Sequence, residues 1–397
     1  MSYPYVILKS GRERSVLRRH PWIFSGAVAR VEGQPANGEV VEVRDAGGGW
    51  LARGYINRHS QITVRILTWD PDEGIDRAFW RRRLEQAVAS RATLSRDPGT
   101  TAYRLVHAES DGLPGLVADR YGECVVVQFL TLGLERWREE ILDGLADLLA
   151  PQTIFERSDV EVREKEGLPP RVGRLRGEEP PQRLEILEHG HRFWVEVQTG
   201  QKTGFYLDQR ENRARLPAFC AEAEMLDGFS YTGAFGVYAA CGGAARVTFV
   251  ETSGPALGVA RQNLALNGQR PEEHEFVEGN AFQVLRGFRA EGRTFDLIVL
   301  DPPKFAPTAR DVRRAARGYK DINLLAFQLL RPGGILFSTS CSGAISADLF
   351  QKILFGAALD AGREAQIIGY LHQGSDHPVA LTFPEGTYLK GLICRVW

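Results

Sequence analysis

From about residue 200 the chain repeats one rhythm: strand, loop, helix. Short apolar runs at 224–226, 246–250, 274–277, 295–300 and 334–338 read as strands, and helical stretches such as 255–266 and 322–330 lie between them. This alternation is the strongest constraint on the fold, because parallel strands need a crossover of a dozen or more residues and a helix supplies it. It predicts an α/β domain with a parallel, doubly wound sheet. Two later runs, 366–371 and 388–396, depart from the rhythm and read as a strand pair joined by a long Pro/Gly-containing loop.

The preceding half reads differently. Residues 1–70 look all-β, with β-branched runs at 39–44 and 61–67 and a turn at Gly47-Gly48-Gly49. Residues 69–74 break the pattern, and a helix is predicted over 76–96. Strands at 124–129 and 153–155 flank a helix at 134–149 that Pro151 stops. The charged, Gly/Pro-rich stretch 163–181 reads as an exposed loop, and 184–187 with 193–197 as a hairpin turning at His189-Gly190. The expected organisation is a small β-barrel over 1–70, an α+β domain over 71–188 and an α/β domain over 189–397, with the hairpin 184–197 as connector. A length of 397 residues suits two or three such cores.

Balanced charge (−1) and 43% hydrophobic residues indicate a globular chain and give no bulk electrostatic reason to bind nucleic acid. Locally, Lys9, Arg12, Arg14, Arg18, Arg19 and Arg30 face only Glu13 before residue 31. That cluster suits phosphates or a merely solvated basic edge equally well. The five cysteines are scattered without a CxxC pair, so neither a zinc site nor a disulfide framework is expected, and a reducing cytoplasm fits. The apolar stretch at 6–8 is too short for a signal-peptide core, and the longest apolar runs are strand-sized, so no membrane span is expected.

Chemistry-bearing residues collect at the predicted strand ends. Asp227-Gly228-Phe229-Ser230-Tyr231-Thr232-Gly233 is a strand-to-helix loop that lets backbone approach a ligand, without the GxGxxG of a dinucleotide site. The next strand ends in Glu251, an acid suited to paired ribose hydroxyls. The third leads to Asn280-Ala281, where the Asn carbonyl can accept from an adenine amine. Three polar residues at successive strand ends suit one nucleoside-containing ligand.

The fourth strand leads into Asp301-Pro302-Pro303-Lys304-Phe305, a rigid wall that presents an acid and an aromatic ring to a flat base. The fifth leads to Ser340-Cys341-Ser342. A lone cysteine is usually a small buried hydrophobe, which is the reading for the other four. At a strand's C-terminal end beside the Pro-Pro wall, Cys341 suits covalent catalysis on a pyrimidine: thiolate addition at C6 makes C5 nucleophilic. Asp301 would then stabilise the activated base at N3. Upstream, the polar, aromatic run from Gln201 to Arg210 includes Lys202 and Tyr206 and reads as either a linker or a wall of the same site.

Together these residues resemble the RlmI-like, PUA-containing large-subunit ribosomal RNA cytosine-5 methyltransferases, over nearly the whole chain. Lys9, Gly11, Arg18, His20, Pro21 and Trp22 resemble the opening of the PUA domain. The Gln201–Arg210 run, the Asp-Pro-Pro-Lys-Phe segment, the Ser-Cys-Ser segment and Asp376-His377-Pro378 resemble the methyltransferase domain. The resemblance implies a class I methyltransferase fold closed by an antiparallel hairpin, with S-adenosylmethionine as cofactor and no metal. It implies that Asp227, Gly228, Phe229, Tyr231, Thr232, Gly233, Glu251, Asn280, Ala281, Asp301, Pro302 and Tyr206 hold the cofactor, Asn280 standing where the family usually has Asp. Cys341 matches the nucleophile and Asp301 its acidic companion. RNA contacts are expected from Lys9, Arg18, His20, Trp22, Lys202, Arg210, Lys304 and Phe305. The implied substrate is a cytosine of 23S rRNA or of a large-subunit assembly intermediate, and members are often homodimers.

Two rivals remain open to the sequence. Asp-Pro-Pro-Lys-Phe also resembles the acid-Pro-Pro-aromatic motif of exocyclic-amine methyltransferases, which need no cysteine. A non-catalytic RNA-binding assembly factor would keep the fold, yet Asp227, Glu251, Asp301 and Cys341 argue against a degenerate site.

Overall fold

The computed structural model describes residues 3–306 and 308–397. They form two units: one holds the chain up to Ile186 with Val195–Phe205 and Asp376–Gly386, the other holds Leu187–Trp194, Tyr206–Ser375 and Thr387–Trp397.

The first unit opens with β1 (Tyr5–Leu8), β2 (Trp22–Phe24), β3 (Val28–Glu32), β4 (Val40–Arg44), β5 (Trp50–Ile56) and β6 (Ile62–Thr68), ordered β2-β6-β5-β4-β1-β3. Alternation in β4 buries Val41 and Val43 and leaves Val40, Glu42 and Arg44 partly exposed. These valines join Val6, Leu8, Ile23, Ile56, Val64 and Ile66 in one core. A second sheet follows: β7 (Ala102–His107), β8 (Leu116–Tyr121), β9 (Cys124–Phe129), β10 (Thr153–Ser158) and β11 (Arg171–Gly177), ordered β11-β10-β9-β8-β7. Helices Arg77–Ala89 and Arg138–Leu149 pack in its core through Phe79, Trp80, Leu84, Ile141, Leu142 and Leu145. They meet closely at Gly144, where a Cβ would stand 2.8 Å from a Leu84 methyl.

Three sequence expectations need correction. The 163–181 stretch is no loop: Arg171–Gly177 pairs antiparallel with β10, an edge strand whose exposed arginines hid its strand character. The helix expected over 76–96 ends at Ala89, and a separate turn spans Ala92–Ser95. Arg91, between them, is buried and forms a bidentate pair with Asp111 at 2.8 Å. The helix expected from 322 begins ten residues earlier, at Val312, because Ala315, Tyr319 and Ile322 form a buried face beneath charged neighbours.

The hairpin of β12 (Leu184–Glu188) and β13 (His191–Val195) turns through His189 (φ 48°) and Gly190 (φ 82°), the two left-handed positions of a tight hairpin turn. The second unit then builds one sheet from β14 (Glu224–Gly228), β15 (Arg246–Glu251), β16 (Glu275–Glu278), β17 (Phe295–Leu300), β18 (Leu330–Ser340), β19 (Ala365–His372) and β20 (Lys390–Val396). Their order is β16-β15-β14-β17-β18-β20-β19. The first five are parallel, and β20 runs antiparallel to both β18 and β19, as the sequence predicted for a closing strand pair. β17 (FDLIVL) is almost continuously buried, as a strand covered on both faces must be. No helix among the described residues is long and apolar enough to cross a membrane.

Candidate active site

Because β14 to β18 are parallel, their C-terminal ends lie along one rim of the sheet, and ligands of open α/β sheets bind there. Asp227 is the penultimate residue of β14, and Glu251 is the last of β15. Asn280 follows β16 after one intervening glycine, and Asp301 and Cys341 directly follow β17 and β18. The sequence-selected residues of the second unit thus occupy successive places on one rim.

The loop after β14 is wound tightly. Phe229 (φ 65°), Tyr231 (φ 48°) and Gly233 (φ 76°) all adopt left-handed conformations. For the two aromatic residues this costs about 1 kcal/mol or more each, and such strain persists only when neighbours enforce it. Here the N–H groups of Phe229 and Ser230 donate to the Val250 carbonyl at 2.9 and 3.1 Å. The N–H of Tyr231 donates to Glu251 Oε2 at 3.0 Å. Gly233 must be glycine for a second reason: a Cβ would lie 2.7 Å from that of Ala260.

Asp227 is buried, and its Oδ2 accepts from the Gly236 N–H at 3.0 Å. Burial pushes its carboxyl up to about 8, the acids Asp301 and Glu251 adding to the effect against the Gly236 N–H and Arg213. A cation placed beside it would recover the lost solvation. The hydroxyls of Ser230 and Thr232 in the same loop are buried without a hydrogen-bond partner. An acid short of a counter-charge and two orphaned hydroxyls fit a small polar ligand carrying a cation.

Glu251 Oε1 accepts from the N–H and hydroxyl of Thr252 at 2.8 and 2.9 Å and from the Ser253 N–H at 3.1 Å. Oε2, holding only Tyr231 among these donors, retains acceptor capacity. Asn280 caps the helix Ala281–Ala290, its Oδ1 accepting from the Phe282 N–H at 3.0 Å. Sequence reading assigned Asn280 to a ligand and missed this cap. Ala281 is buried in that helix's first turn, Gly228 and Pro302 are buried beside the rim, and Tyr206 approaches Tyr231 edge-on with centroids 5.6 Å apart.

Asp301 is oriented from two sides. Its Oδ1 accepts from Gln209 Nε2 at 2.8 Å and from Thr339 Oγ1 at 2.6 Å. Gln209 is held in turn by Asn212 Nδ2, 2.6 Å from its oxygen. Neither Gln209 nor Thr339 was assigned a role from sequence, although Gln209 lies in the Gln201–Arg210 run singled out there.

Cys341 is partly exposed, with Sγ 4.0 Å from the Pro302 carbonyl, against the Asp-Pro-Pro wall. Cys124, Cys220 and Cys394 are buried, which pushes each thiol up to about 12. Cys241 is only partly buried, so the expectation of a buried hydrophobe is met by three of these four. The loop after Cys341 is pinned by Ser342, whose Oγ accepts from the Ala306 N–H at 3.1 Å and meets the Tyr319 hydroxyl at 3.0 Å. Phe305 leans on Tyr319 (centroids 4.7 Å) and Phe282 (6.0 Å), while Lys304 is exposed.

One expected RNA contact needs correction. Arg210 is fully buried and ion-paired with Glu211 at 2.8 Å, so its guanidinium faces protein rather than RNA. In the first unit Lys9, Arg12, Arg14, Arg18, Arg19 and Lys202 are exposed. His20 and Trp22 are tied down there: His20 Nε2 lies 3.1 Å from Glu385, and the Trp22 indole N–H donates to Glu109 at 2.8 Å while its ring packs 4.7 Å from Phe383.

Residues 6–69 match the family model of a PUA-like domain, and residues 165–381 match that of an S-adenosylmethionine-dependent methyltransferase. The chain is 52% identical to the ribosomal RNA large subunit methyltransferase I of Shewanella amazonensis, over 98% of each chain. It is 51% identical to the protein of the same name from Klebsiella pneumoniae, over 99% of this chain and 98% of the relative. Among solved structures, a protein described as a SAM-dependent methyltransferase from Streptococcus mutans shares the fold with a TM-score of 0.86 at 21% identity, over the full length of both chains. A second, solved with SAH bound, also gives 0.86, at 22% identity.

Proposed function

Since the chain belongs to the S-adenosylmethionine-dependent ribosomal RNA large subunit methyltransferase I family, we propose that it forms 5-methylcytidine in 23S rRNA through a covalent adduct of Cys341. The observation that carries this reading is the partly exposed thiol of Cys341 directly after β18, against the Asp301-Pro302 wall at the end of β17. C5 of cytosine is too weak a nucleophile to accept a methyl group unaided. Addition of the Cys341 thiolate to C6 forms an S–C6 bond and moves electron density to C5. Asp301, oriented by Gln209 and Thr339, stabilises the activated base at N3. When bound, S-adenosylmethionine would supply the electrophilic methyl group, which C5 takes up as a C5–CH3 bond while S-adenosylhomocysteine leaves. Loss of the C5 proton and breaking of the S–C6 bond then free the product and return the thiolate.

On this reading Asp227 pairs with the cofactor's ammonium, which explains a buried acid short of a counter-charge. Ser230 and Thr232 would offer their hydroxyls, Glu251 Oε2 would accept from the ribose, and the Asn280 carbonyl would use its remaining lone pair for the adenine amine. The exposed basic residues of the PUA-like domain, Lys9 and Arg18 among them, meet RNA phosphates, and Lys304 and Phe305 attend the target nucleotide.

The test is methylation of unmodified 23S rRNA by the purified protein with labelled cofactor, followed by nucleoside analysis. Label in 5-methylcytidine that disappears in Cys341→Ala is the expected result. Label in a purine moves the mechanism to the amine or ring-nitrogen class, and activity retained in Cys341→Ala refutes the covalent adduct.

A further inference from the structure

β20 reads Lys-Gly-Leu-Ile-Cys-Arg-Val, and its first residue is a buried lysine, 8% exposed. Burying an ammonium in a sheet is unfavourable unless something nearby favours the charge. In the antiparallel register Lys390 faces Ser340, the residue before Cys341. Its Nζ donates to the carbonyl of Ser342, the residue after Cys341, at 2.7 Å. Its backbone and its head group thus bracket the cysteine from both sides.

Of the other ionisable neighbours, the two phenols supply no positive charge. Tyr319, from the helix Val312–Leu329, has its hydroxyl pushed up mainly by burial, and reaches the loop through Ser342. Tyr206, ahead of the turn Leu207–Gln209, is pushed up by burial and then by Asp301 and Asp208. Both phenols therefore stay neutral. Lys304 is a cation, but it is solvent-exposed. Lys390 itself is lowered to about 8 by burial, with the Cys341 thiolate opposing that fall and Lys304 reinforcing it. It stays largely protonated at neutral pH.

We propose that Lys390 is a positioning residue of the reaction: its ammonium, anchored on the Ser342 carbonyl, stabilises the thiolate of Cys341 and keeps the nucleophile ionised before RNA binds. The thiol proton passes to solvent, and Lys390 neither forms nor breaks a bond. This rests on Cys341 being the nucleophile, so the experiment reads the thiol directly. Cofactor-free, RNA-free protein is alkylated with iodoacetamide across pH 6 to 10, and modification of the Cys341 peptide is followed by mass spectrometry.

The expected result is a Cys341 midpoint below the ordinary thiol value of about 8.5, raised by about one unit or more in Lys390→Gln. Alkylation at pH 7 is then about tenfold slower in the variant, because one unit changes the thiolate fraction tenfold. Glutamine keeps a donor for Ser342, so a merely structural role would leave the midpoint in place. Lys390→Arg restores the low midpoint. Identical pH profiles in wild type and Lys390→Gln would overturn the proposal. A wild-type midpoint at or above the ordinary thiol range would do so even if both variants failed to fold. Lys390-dependent alkylation in an enzyme that made no 5-methylcytidine would uphold the charge pairing while removing the C5 reading.

Discussion

Asp227 trades stability for readiness. Its carboxyl is raised from 3.8 to about 8 in the folded protein, so the native state holds a proton that the unfolded chain has released. The stability this gives is full below pH 3.8 and is lost as pH rises towards about 8. Cofactor-free protein should therefore melt at lower temperature as pH rises across that window, and Asp227→Asn should flatten the dependence in calorimetric scans. The same variant should weaken S-adenosylmethionine binding by roughly 10- to 100-fold, since a hydrogen bond to a charged group contributes about 1.5–3 kcal/mol. Cys341→Ala should bind cofactor normally by titration calorimetry yet lose 5-methylcytidine formation by at least about 1,000-fold, as loss of a covalent nucleophile does. At this scale the sequence was most readable where a residue's position on the chain already determined its place. Asp227, Glu251, Asp301 and Cys341 each lie at or beside the C-terminal end of a strand, and strand ends could be counted along the chain. Gln209, Thr339 and Lys390 were not readable in that way. Their contacts depend on which distant strand or turn lies beside them, and no local pattern encodes that.

Among the elements, the helix Arg77–Ala89 begins with Asp76, whose carboxylate accepts from the Phe79 N–H at 2.8 Å. Asp76→Ala should lower the denaturation midpoint by the equivalent of about 1 kcal/mol. A larger loss is expected from Arg213→Ala. Arg213 is buried and pairs with Glu188 at 2.6 and 2.7 Å, and removing it leaves the carboxylate buried without its partner. The cost should be about 3–5 kcal/mol by chemical denaturation. The elements also show why periodicity misled. β17 and the helix Gly254–Leu266 were legible because burial of apolar side chains wrote their pattern. β11 was not: its alternating residues are largely arginine and glycine, and only its pairing with β10 makes it a strand. The break at Arg91 is a tertiary effect too, since a bidentate pair with Asp111 holds the guanidinium in place.

For the whole molecule, a net charge of −1 conceals exposed basic residues before residue 31. If these meet phosphate, affinity for 23S rRNA should fall linearly with salt on logarithmic axes. Replacing Arg14, Arg18 and Arg19 by alanine should reduce that slope by about 0.7 for each phosphate no longer neutralised, with cofactor affinity unchanged. The overall architecture was largely legible, because alternating strands and helices leave few topologies. The order of the last two strands was not legible, and it matters for how the protein comes into being. β18 leads into the Cys341 loop and pairs with β20 rather than with the earlier β19. While the chain is being translated, β18 and β19 exist before the strand that belongs between them. The gap closes only when Lys390–Val396 leaves the ribosome. Until then the Cys341 loop has no Lys390 ammonium on its Ser342 carbonyl, so under the proposed charge pairing a nascent chain carries an ordinary thiol and gains its reactivity only with the finished sheet.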